Sequence, residues 1–307
     1  MSIITVGTMA FDAIETPFGK TDRIVGGSAT YVAYAASHLT TPVKQISIVG
    51  YDFPAEEMRQ LEQRGVQLAG VEVVKDKKSF FWSGKYHMDM NTRDTLVTDL
   101  NVLADFDPKI PEEYQGAEFL MLGNLMPSIQ ISVIKQLRKR PKLVILDTMN
   151  FWMETAMEDL RKVLGMIDVL LINDSEARQL SGEFSLVKAA RKITEMGPKF
   201  LIIKKGEHGA LLFYDQNIFF APALPLEEVF DPTGAGDTFA GGFVGHLARM
   251  KDISFDNMKT AIIVGSAMAS FCVEKFGPQR LKEITKSEID NRLRDFVQLV
   301  NFDIDLV

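Results

Sequence analysis

Short apolar runs alternate with amphipathic segments through much of the chain. Apolar runs of four or five residues are typical of buried strands, whereas apolar residues spaced three or four apart are typical of helices that cover a sheet. Regular alternation of the two predicts right-handed βαβ units and a parallel sheet. The predicted strands are 2–6, 43–49, 119–122, 143–146, 169–172 and 200–204, with helices at 28–39, 54–65, 128–138 and 153–164. Toward the C-terminus the pattern predicts a hairpin, 210–214 with 218–221, and two helices, 258–276 and 285–299.

One region departs from this alternation. Between 78 and 98, short strand-like runs are separated by polar turns and are rich in aromatic residues. Together with residues 11–25, this region is predicted to form a small β lid over a binding site. Aromatic side chains in such strands serve packing or dimerisation, or they contact a substrate. The aromatic residues are Phe80, Phe81, Trp82 and Tyr86.

Length and composition narrow the class of protein. The chain has 307 residues, 46% of them hydrophobic, which is enough for one large α/β domain or two smaller ones. A net charge of −7 does not favour nucleic acid or an anionic membrane as a partner, and no apolar run approaches the about 18 residues of a membrane span. A single cysteine, Cys272, excludes an intrachain disulfide. We therefore expect a cytoplasmic protein that acts on a small molecule.

The strongest chemical signal is a glycine-rich stretch at 231–243, Asp-Pro-Thr-Gly-Ala-Gly-Asp-Thr-Phe-Ala-Gly-Gly-Phe. It follows a strand-like run and opens an amphipathic segment, which predicts a tight turn at a helix N-terminus. Gly234 and Gly236 permit backbone angles and close approaches that a Cβ would prevent. The unpaired N–H groups and the dipole of a helix N-terminus suit a phosphate. Asp237 in this turn is either a plain N-cap or a base that takes a proton from a substrate hydroxyl.

The pattern Asp231-x-x-Gly-Ala-Gly-Asp-x-Phe resembles the C-terminal signature of the ribokinase-like (PfkB) carbohydrate kinase family. The resemblance extends over nearly the whole chain, from Asp12 to Gly277. It implies that residues 1–307 form one kinase domain. The implied fold is a three-layer α/β/α sandwich with a central mostly parallel sheet and a small β lid.

The same signature implies catalytic roles for the glycine-rich turn. In the family the last Asp is the catalytic base, which here is Asp237. With an ordinary pKa near ~4, this carboxylate would be ionised at neutral pH and would be a weak base. The amides that form the family's anion hole correspond to Gly234, Ala235 and Gly236.

The N-terminal part also resembles the family. The segment 7–12, Gly-Thr-Met-Ala-Phe-Asp, is similar to an opening segment whose Asp hydrogen-bonds sugar hydroxyls. The family's paired glycines, which pack close to the sugar and act as a hinge, usually precede an Asn by four residues. This chain has Tyr31 there, which indicates a different sugar, or a nucleoside whose base needs a flat partner. The implied substrate-binding residues are Asp12, Gly26, Gly27, Tyr31 and, at the end of a predicted strand, Asn124.

Asn173 ends a predicted strand and Glu176 follows it in the first turn of a helix, so both side chains can face the same space. In one interpretation Asp174 or Ser175 caps this helix and Glu176 completes its first turn. In the other, the pair corresponds to the family's Asn-x-x-Glu motif, which orders Mg²⁺ and its waters beside the nucleotide. One Glu suffices for this because Mg²⁺ uses few protein carboxylates.

The remaining cofactor residues follow from the resemblance. A turn at 204–209, Lys-Lys-Gly-Glu-His-Gly, is similar to one that contacts nucleotide phosphate and base in the family. A monovalent cation occurs in some relatives near the position of Asp231. The residues implied to contact ATP are Asn173, Glu176, Lys204, Gly206, Gly209 and Thr233.

The implied activity is transfer of the γ-phosphoryl group of ATP, with Mg²⁺, to a hydroxymethyl group of a sugar or nucleoside. An alternative from another class is a catalytically silent sugar- or nucleoside-binding protein of the same fold. A nicotinamide dehydrogenase is less favoured because no Gly-x-Gly-x-x-Gly follows the first strand. A homodimer formed through the lid is a further expectation, and the sequence does not choose the acceptor.

Overall fold

A computed structural model describes residues 2–301 of the chain, which form fourteen strands and eleven α-helices. Residues 1 and 302–307 lie outside the described residues, so the assignment of 1–307 to one domain stays a prediction. The strands are β1 (Ile3–Val6), β2 (Ala10–Thr16), β3 (Gly19–Lys20), β4 (Ile24–Gly26), β5 (Val43–Gly50), β6 (Val66–Val74), β7 (Phe81–Tyr86), β8 (Arg93–Asp99), β9 (Phe119–Leu122), β10 (Leu143–Asp147), β11 (Val169–Asn173), β12 (Phe200–Lys204), β13 (Ala210–Tyr214) and β14 (Asn217–Ala221). The helices are α1 (Ser28–Ser37), α2 (Ala55–Gln63), α3 (Pro127–Gln136), α4 (Asn150–Thr155), α5 (Met157–Leu164), α6 (Asp174–Ser181), α7 (Leu186–Thr194), α8 (Ala235–Met250), α9 (Phe255–Cys272), α10 (Gln279–Glu283) and α11 (Lys286–Val300).

Nine strands form the main sheet, in the order β14-β13-β12-β11-β10-β9-β1-β5-β6. Strands β12 through β6 in this order are mutually parallel, and the hairpin β13–β14 adds an antiparallel edge. Parallel strands end at the same side of a sheet. The polar residues that end or follow β9, β10, β11 and β12 therefore collect along one edge, where ligands bind in open α/β sheets.

Apolar side chains cover both faces of this sheet. In β9, Phe119 and Met121 belong to one buried cluster, which also contains residues of α1, α8 and α9. Leu120 and Leu122 belong to a second cluster with residues of α3, α5, α6 and α7. Because strands covered on both faces need apolar residues at every position, the continuous apolar runs in the sequence are explained. The predicted three-layer α/β/α sandwich is confirmed.

Glycines bring the helices of one layer unusually close together. A Cβ on Gly241 of α8 would lie 2.6 Å from the Val32 carbonyl oxygen of α1, and a Cβ on Gly242 would lie 3.0 Å from the Cα of Gly265 in α9. Both distances are shorter than van der Waals contact, so larger residues would push the helices apart. The three helices therefore form a tightly packed layer, and α8 is held firmly within it.

A second, five-stranded sheet forms the predicted β lid. Its order is β3-β2-β7-β8, with β4 paired to β2. Strands β2 and β7 run parallel, and the other pairs are antiparallel. All seven residues of β8 are exposed. The lid is therefore joined to the main body mostly through β2, β4 and the loops at its ends.

Two predicted helices differ from the structure. The helix predicted at 153–164 is two helices, α4 and α5, because the backbone at Ala156 leaves the helical region with φ −144°. The helix predicted at 258–276 ends at Cys272, four residues earlier, and Gly277 beyond it has φ +59°. Within residues 2–301, no helix is long and apolar enough to cross a bilayer.

Candidate active site

An ion pair lies at the carboxyl edge of the main sheet. Lys204 ends β12 and Asp147 ends β10, and the Lys204 Nζ is 3.2 Å from Asp147 Oδ1, with both side chains largely buried. Burial lowers the pKa of Lys204, but the charges of Asp147, Glu176 and Asp237 outweigh burial, and the pKa is raised. Lys204 therefore stays cationic among carboxylates. The sequence predicts a role for Lys204, but not this partner.

The glycine-rich turn packs directly against Lys204 and Tyr31. Gly234 has φ +75° and is the N-cap of α8. A Cβ on Gly234 would overlap the Tyr31 ring, and a Cβ on Gly236 would lie 3.0 Å from Lys204 Nζ. Glycine at both positions therefore lets the turn approach these two side chains, as the sequence predicts.

Three N–H groups of this turn have no acceptor within residues 2–301. They belong to Gly234, Gly236 and Asp237, whereas the N–H of Ala235 donates to the Pro232 carbonyl at 3.2 Å. The expected cradle of amides from 234 to 236 stays a prediction; in this structure the N–H of Ala235 is used within the turn, whereas the N–H of Asp237 is without an acceptor among the described residues. N–H groups without partners at a helix N-terminus form an anion-binding position.

Asp237 lies in the first turn of α8, where Gly234 and not Asp237 is the N-cap. The plain N-cap interpretation is therefore wrong. Burial and the negative charge of Asp147 raise the pKa of Asp237 to about 7, although Lys204 and Arg93 lower it. The expectation of an ordinary pKa near ~4 is corrected, because the sequence does not show burial beside a second carboxylate. A carboxyl group that titrates near neutral pH is suited to take up a substrate proton.

Asp231 stabilises the backbone that leads into this turn. Its two carboxylate oxygens accept the N–H of Thr233 at 2.8 Å and the N–H of Gly277 at 2.9 Å. The side chain is 1% exposed, and burial raises its pKa despite these bonds. Both oxygens already bind backbone groups, so a monovalent cation at Asp231 stays a prediction.

Asn173 and Glu176 cap α6 through reciprocal hydrogen bonds. Asn173 Oδ1 accepts the N–H of Glu176 at 2.8 Å, and Glu176 Oε2 accepts the N–H of Asn173 at 2.7 Å. The cap is therefore Asn173 itself, and not Asp174 or Ser175. Burial raises the pKa of Glu176 to about 7, with Lys204 lowering it and Asp147 raising it.

The carboxylates around Lys204 fit a magnesium ion. Burial, and after it the negative charge of Asp147, raises the pKa of both Glu176 and Asp237, so a further cation beside these carboxyl groups would favour their ionised forms. Carboxylate oxygens are the ligands that Mg²⁺ prefers, and it usually keeps several waters. Within residues 2–301 no three acidic, His or Cys side chains form a metal site by themselves. A magnesium ion here would therefore depend on waters and phosphate oxygens as well.

Asp12 lies on the other side of the turn, in lid strand β2. It is 5% exposed, and burial together with Asp231 and Asp237 raises its pKa to about 8, although the N–H of Gly27 lowers it. A Cβ on Gly26 would overlap the Asp12 carboxylate. Gly27 has φ +93° and begins α1. The structure thus brings the predicted substrate residues Asp12, Gly26 and Gly27 together near the catalytic turn.

Two predicted substrate residues have other surroundings. Tyr31 is 1% exposed and its ring lies against Gly234, and substrate contact by Tyr31 stays a prediction. Its hydroxyl is buried and has no partner within residues 2–301. Asn124 Oδ1 accepts the Trp152 indole N–H at 2.7 Å, and Asn124 Nδ2 lies 2.9 Å from Met149 Sδ. Substrate contact by Asn124 stays a prediction.

The lid touches the phosphate-binding side of the site at two places. The Tyr86 hydroxyl of β7 lies 3.1 Å from Thr233 Oγ1. A Cβ on Gly206, which has φ +55°, would overlap the Asn91 side chain in the β7–β8 loop. Gly209 has φ +78° and closes the turn that begins at Gly206. The predicted nucleotide turn therefore lies beneath the tip of the lid.

Sequence reasoning missed three residues of this site. Asp147 is visible in the sequence only as one of several polar strand ends, and pairing it with Lys204 requires the sheet order. Tyr86 is grouped with aromatic packing residues, yet its hydroxyl bonds the catalytic turn. Arg93 carries no motif, but its charge lowers the pKa of Asp237 and Glu176, which burial raises. All three become visible only when distant segments meet.

Comparison with known proteins identifies the family. The model of the pfkB family carbohydrate kinases matches residues 2–285. The chain belongs to this family. It is 29% identical over 259 residues to a cytidine kinase of Thermococcus kodakarensis, covering 81% of this chain and 89% of that protein. It is 26% identical to a nucleoside kinase of Methanothermobacter thermautotrophicus, covering 90% of this chain and 91% of that one.

A solved structure has the same fold. The nucleoside kinase of Burkholderia thailandensis in complex with inosine superposes with a TM-score of 0.78 at 22% identity, covering 95% of this chain and 97% of that chain. The predicted enzyme class, a sugar or nucleoside kinase that transfers a phosphoryl group from ATP, is confirmed by family membership.

Proposed function

We propose that this kinase transfers the γ-phosphoryl group of ATP to a hydroxymethyl group of a nucleoside or sugar, with Asp237 as the base. The observation that carries the proposal is the arrangement at the start of α8. There a carboxyl group of pKa about 7 lies beside unpaired N–H groups and the Lys204–Asp147 pair. A base, an anion cradle and a cation in one place are what phosphoryl transfer to an alcohol needs.

In the proposed mechanism Asp12 hydrogen-bonds hydroxyls of the acceptor, with Gly26 and Gly27 allowing a close approach. Asp237 then receives the proton of the attacking hydroxyl as the acceptor oxygen bonds the γ-phosphorus, the bond between that phosphorus and the β,γ-bridging oxygen breaks, and ADP leaves. The N–H groups of Gly234, Gly236 and Asp237 stabilise the negative charge on the transferred group, because they are already oriented and need no rearrangement. Closure of the lid excludes water, which would otherwise accept the phosphoryl group.

The donor, ATP, would bind on the side of the glycine-rich turn that faces away from Asp12. We propose that ATP is contacted by residues at the edge of the main sheet and under the tip of the lid. They are Lys204, Gly206, Gly209 and Thr233. Asn173, Glu176 and the neighbouring Asp147 would hold Mg²⁺, directly or through water. When bound, Mg²⁺ would neutralise charge on the donor phosphates. A monovalent cation near Asp231 remains an open part of the proposal.

The acceptor is proposed to be a nucleoside. The support is similarity to the cytidine kinase and to the nucleoside kinases named above. Tyr31 no longer supports it, because its ring is buried. A catalytically silent binder is disfavoured, since Asp237 and the unpaired N–H groups would then serve no purpose. The cytoplasmic location expected from the sequence stays a prediction.

The test is phosphate transfer from ATP across a panel of nucleosides and sugars, with Asp237→Asn as the paired variant. We expect turnover on a nucleoside, and about a 10²–10⁴-fold lower kcat in Asp237→Asn. At pH 6, where the Asp237 carboxyl group is mostly protonated, binding of ATP and the melting temperature should stay close to those of the parent, because Asn keeps the shape and neutrality of the side chain. Near-normal turnover by Asp237→Asn would remove this residue from the base role. Tight nucleoside binding without turnover by the parent would favour the silent binder.

We also propose a homodimer formed through the lid. The exposed apolar side chains of Leu96, Val97 and Leu100 are gathered in and beside β8, where an edge strand is open to pairing. Sedimentation of the parent and of Leu96→Ser/Val97→Ser tests this. We expect a dimer that dissociates in the double variant, and a monomeric parent would contradict it.

A further inference from the structure

Asn124 lies at the carboxyl edge of the main sheet, between two parts of the proposed site. It follows β9, which is flanked in the sheet by β1, the strand that leads to Asp12, and by β10, which ends at Asp147. A Cβ on Gly123 would lie 2.9 Å from Ser28 Oγ, and Ser28 begins α1 immediately after the paired glycines. Asn124 is therefore next to the residues that we propose bind the acceptor.

The side-chain amide of Asn124 has one of its two ends already in use. Its Oδ1 accepts the Trp152 indole N–H at 2.7 Å, and its Nδ2 lies 2.9 Å from Met149 Sδ. Because an indole N–H is only a donor, the atom that faces it must be the amide oxygen. The nitrogen carries two N–H groups, and a thioether sulfur is a weak acceptor for one of them. The end of the amide that is left for a ligand is therefore a donor.

The two partners of this amide belong to one turn of the chain. Met149 is the N-cap of α4, and its carbonyl accepts the N–H of Trp152 at 3.1 Å. Helix α4 is held in turn by α6, because the Gln179 side chain bonds those of Asn150 and Glu154. The amide is thus oriented before a ligand arrives, which lowers the entropy cost of binding.

The backbone that leads to Asn124 is also fixed. Gln130 of α3 is fully buried, and its Nε2 donates to the Gly123 carbonyl at 2.9 Å. The N–H of Gly123 donates to the Val6 carbonyl at 2.7 Å. Both backbone groups of the residue before Asn124 are therefore bonded. A polar group held by a fixed backbone and fixed neighbours is suited to a selective contact.

The base is the part of a nucleoside that is left for Asn124 to contact. In the proposed function Asp12 bonds the sugar hydroxyls, and Asp237 receives the proton of the hydroxymethyl group. A base that meets a fixed N–H must offer a lone pair, because two donors that face each other leave both unpaired. Cytidine and adenosine have a lone pair on a ring nitrogen where uridine and inosine have an N–H group.

We propose that Trp152 is a positioning residue, which holds the Asn124 amide with its N–H toward the base and so makes the enzyme prefer nucleosides whose base offers a lone pair there. The inference rests on the proposed function and deepens it, because it names the feature of the acceptor that is selected. Trp152 belongs to none of the motifs from which the other site residues were predicted. Its role follows from a contact between α4 and the end of β9.

Calorimetric binding of two matched pairs of nucleosides, without ATP, tests this role. The pairs are cytidine with uridine and adenosine with inosine. We expect the parent to favour the lone-pair member of the pair that it binds more tightly by about tenfold. Trp152→Phe keeps a flat ring but loses the N–H, so the amide can turn and this preference should largely disappear. Phe151→Leu is the control, because it changes a 50% exposed ring on the same helix and leaves the indole bond.

Three results would overturn the proposal: a parent that binds none of these nucleosides, a parent that does not favour the lone-pair member, or a Trp152→Phe variant that loses affinity equally for both members. Melting temperatures establish that each variant is folded.

Asn124→Asp is a second variant, of nearly the same shape as the parent residue. One carboxylate oxygen would still accept the Trp152 N–H, whereas the other would offer the base an acceptor in place of a donor. The preference within the pair should therefore reverse, and an unchanged preference would contradict the proposal. Turnover without this selectivity would overturn only the role of Trp152, whereas selective binding without turnover would overturn only the proposed function.

Discussion

The two halves of the active site are held in different ways. The phosphate turn at the start of α8 is fixed by close glycine contacts among α1, α8 and α9 and by the two backbone bonds to Asp231. The lid approaches the site through few side chains, chiefly Tyr86, which meets Thr233, and Asn91, which meets Gly206, and its outer strand β8 is exposed throughout.

This difference indicates that the turn contributes to the stability of the fold, whereas the lid contributes mainly to control of the reaction. Charge-stabilising N–H groups work best when they are already in place, and the tightly packed layer provides that. A lid must open to admit substrates and close to exclude water, which requires weak contacts with the body. Changes in the turn should therefore affect folding and turnover together, whereas changes in the outer lid strands β7 and β8 should affect chiefly turnover.

The largest effect on folding is expected from Gly234→Ala. The new Cβ would overlap the Tyr31 ring at a backbone conformation with φ +75°. We expect a loss of about 2–4 kcal/mol in the free energy of unfolding, measured by chemical denaturation, and loss of turnover. Gly182→Ala is the matched control, because Gly182 has φ +69° but nothing within 4 Å of the added Cβ. It should lose only about 1–2 kcal/mol, and equal losses would refute the role of the Tyr31 contact.

A smaller effect is expected from pH. The pKa values of Asp12, Glu176 and Asp237 are raised to about 8, 7 and 7, primarily by burial. The folded protein then binds more protons than the unfolded chain between their ordinary pKa values and these, so stability falls as pH rises through this window. The free energy of unfolding, measured without ligands by chemical denaturation at each pH, should therefore fall steadily from pH 6 to pH 8.

Asp12→Asn tests the source of that dependence. The variant should lose part of the slope and be more stable than the parent at pH 8, because a buried charge is removed. Glu15→Gln is the lid control, since the hydrogen bond from Lys85 lowers the pKa of Glu15 and moves its titration below this window. A slope unchanged in Asp12→Asn would show that Asp12 is not the buried acid described.

The smallest effect is expected from Tyr86→Phe, which removes the bond to Thr233 and leaves the ring. We expect a change within about 1 kcal/mol in the free energy of unfolding and a several-fold lower kcat/KM for the acceptor. Tyr51→Phe, at a tyrosine that is 57% exposed, should leave both unchanged. A large loss of stability in Tyr86→Phe would contradict the weak attachment of the lid.

Local signals in the sequence predict much of this molecule. Apolar runs locate the parallel strands to within a few residues, because a strand buried on both faces has apolar residues at consecutive positions. The glycine-rich turn is also local, so its place at the start of α8 is confirmed. The break at Ala156 leaves no comparable mark, since neither Gly nor Pro lies within 142–164.

Features that depend on distant segments escape prediction. Asp147 and Lys204 are 57 positions apart and meet only because of the strand order. The raised pKa of Asp237 depends on burial, and the closure of the turn by Ala235 depends on the conformation of Pro232. The position of Arg93 near the site is apparent only once β8 is paired with β7. The acceptor cannot be read for the same reason, because the pocket that we propose for it takes residues from both sheets.

Tyr31 gives this enzyme a constraint that bears on redesign. Its buried ring lies directly against the backbone of Gly234. Exchanging it would also loosen the backbone that we propose receives the phosphate. Efforts to retarget this kinase by directed evolution should therefore vary positions 31 and 233–236 as a set, since a change at one would disturb the packing of the other.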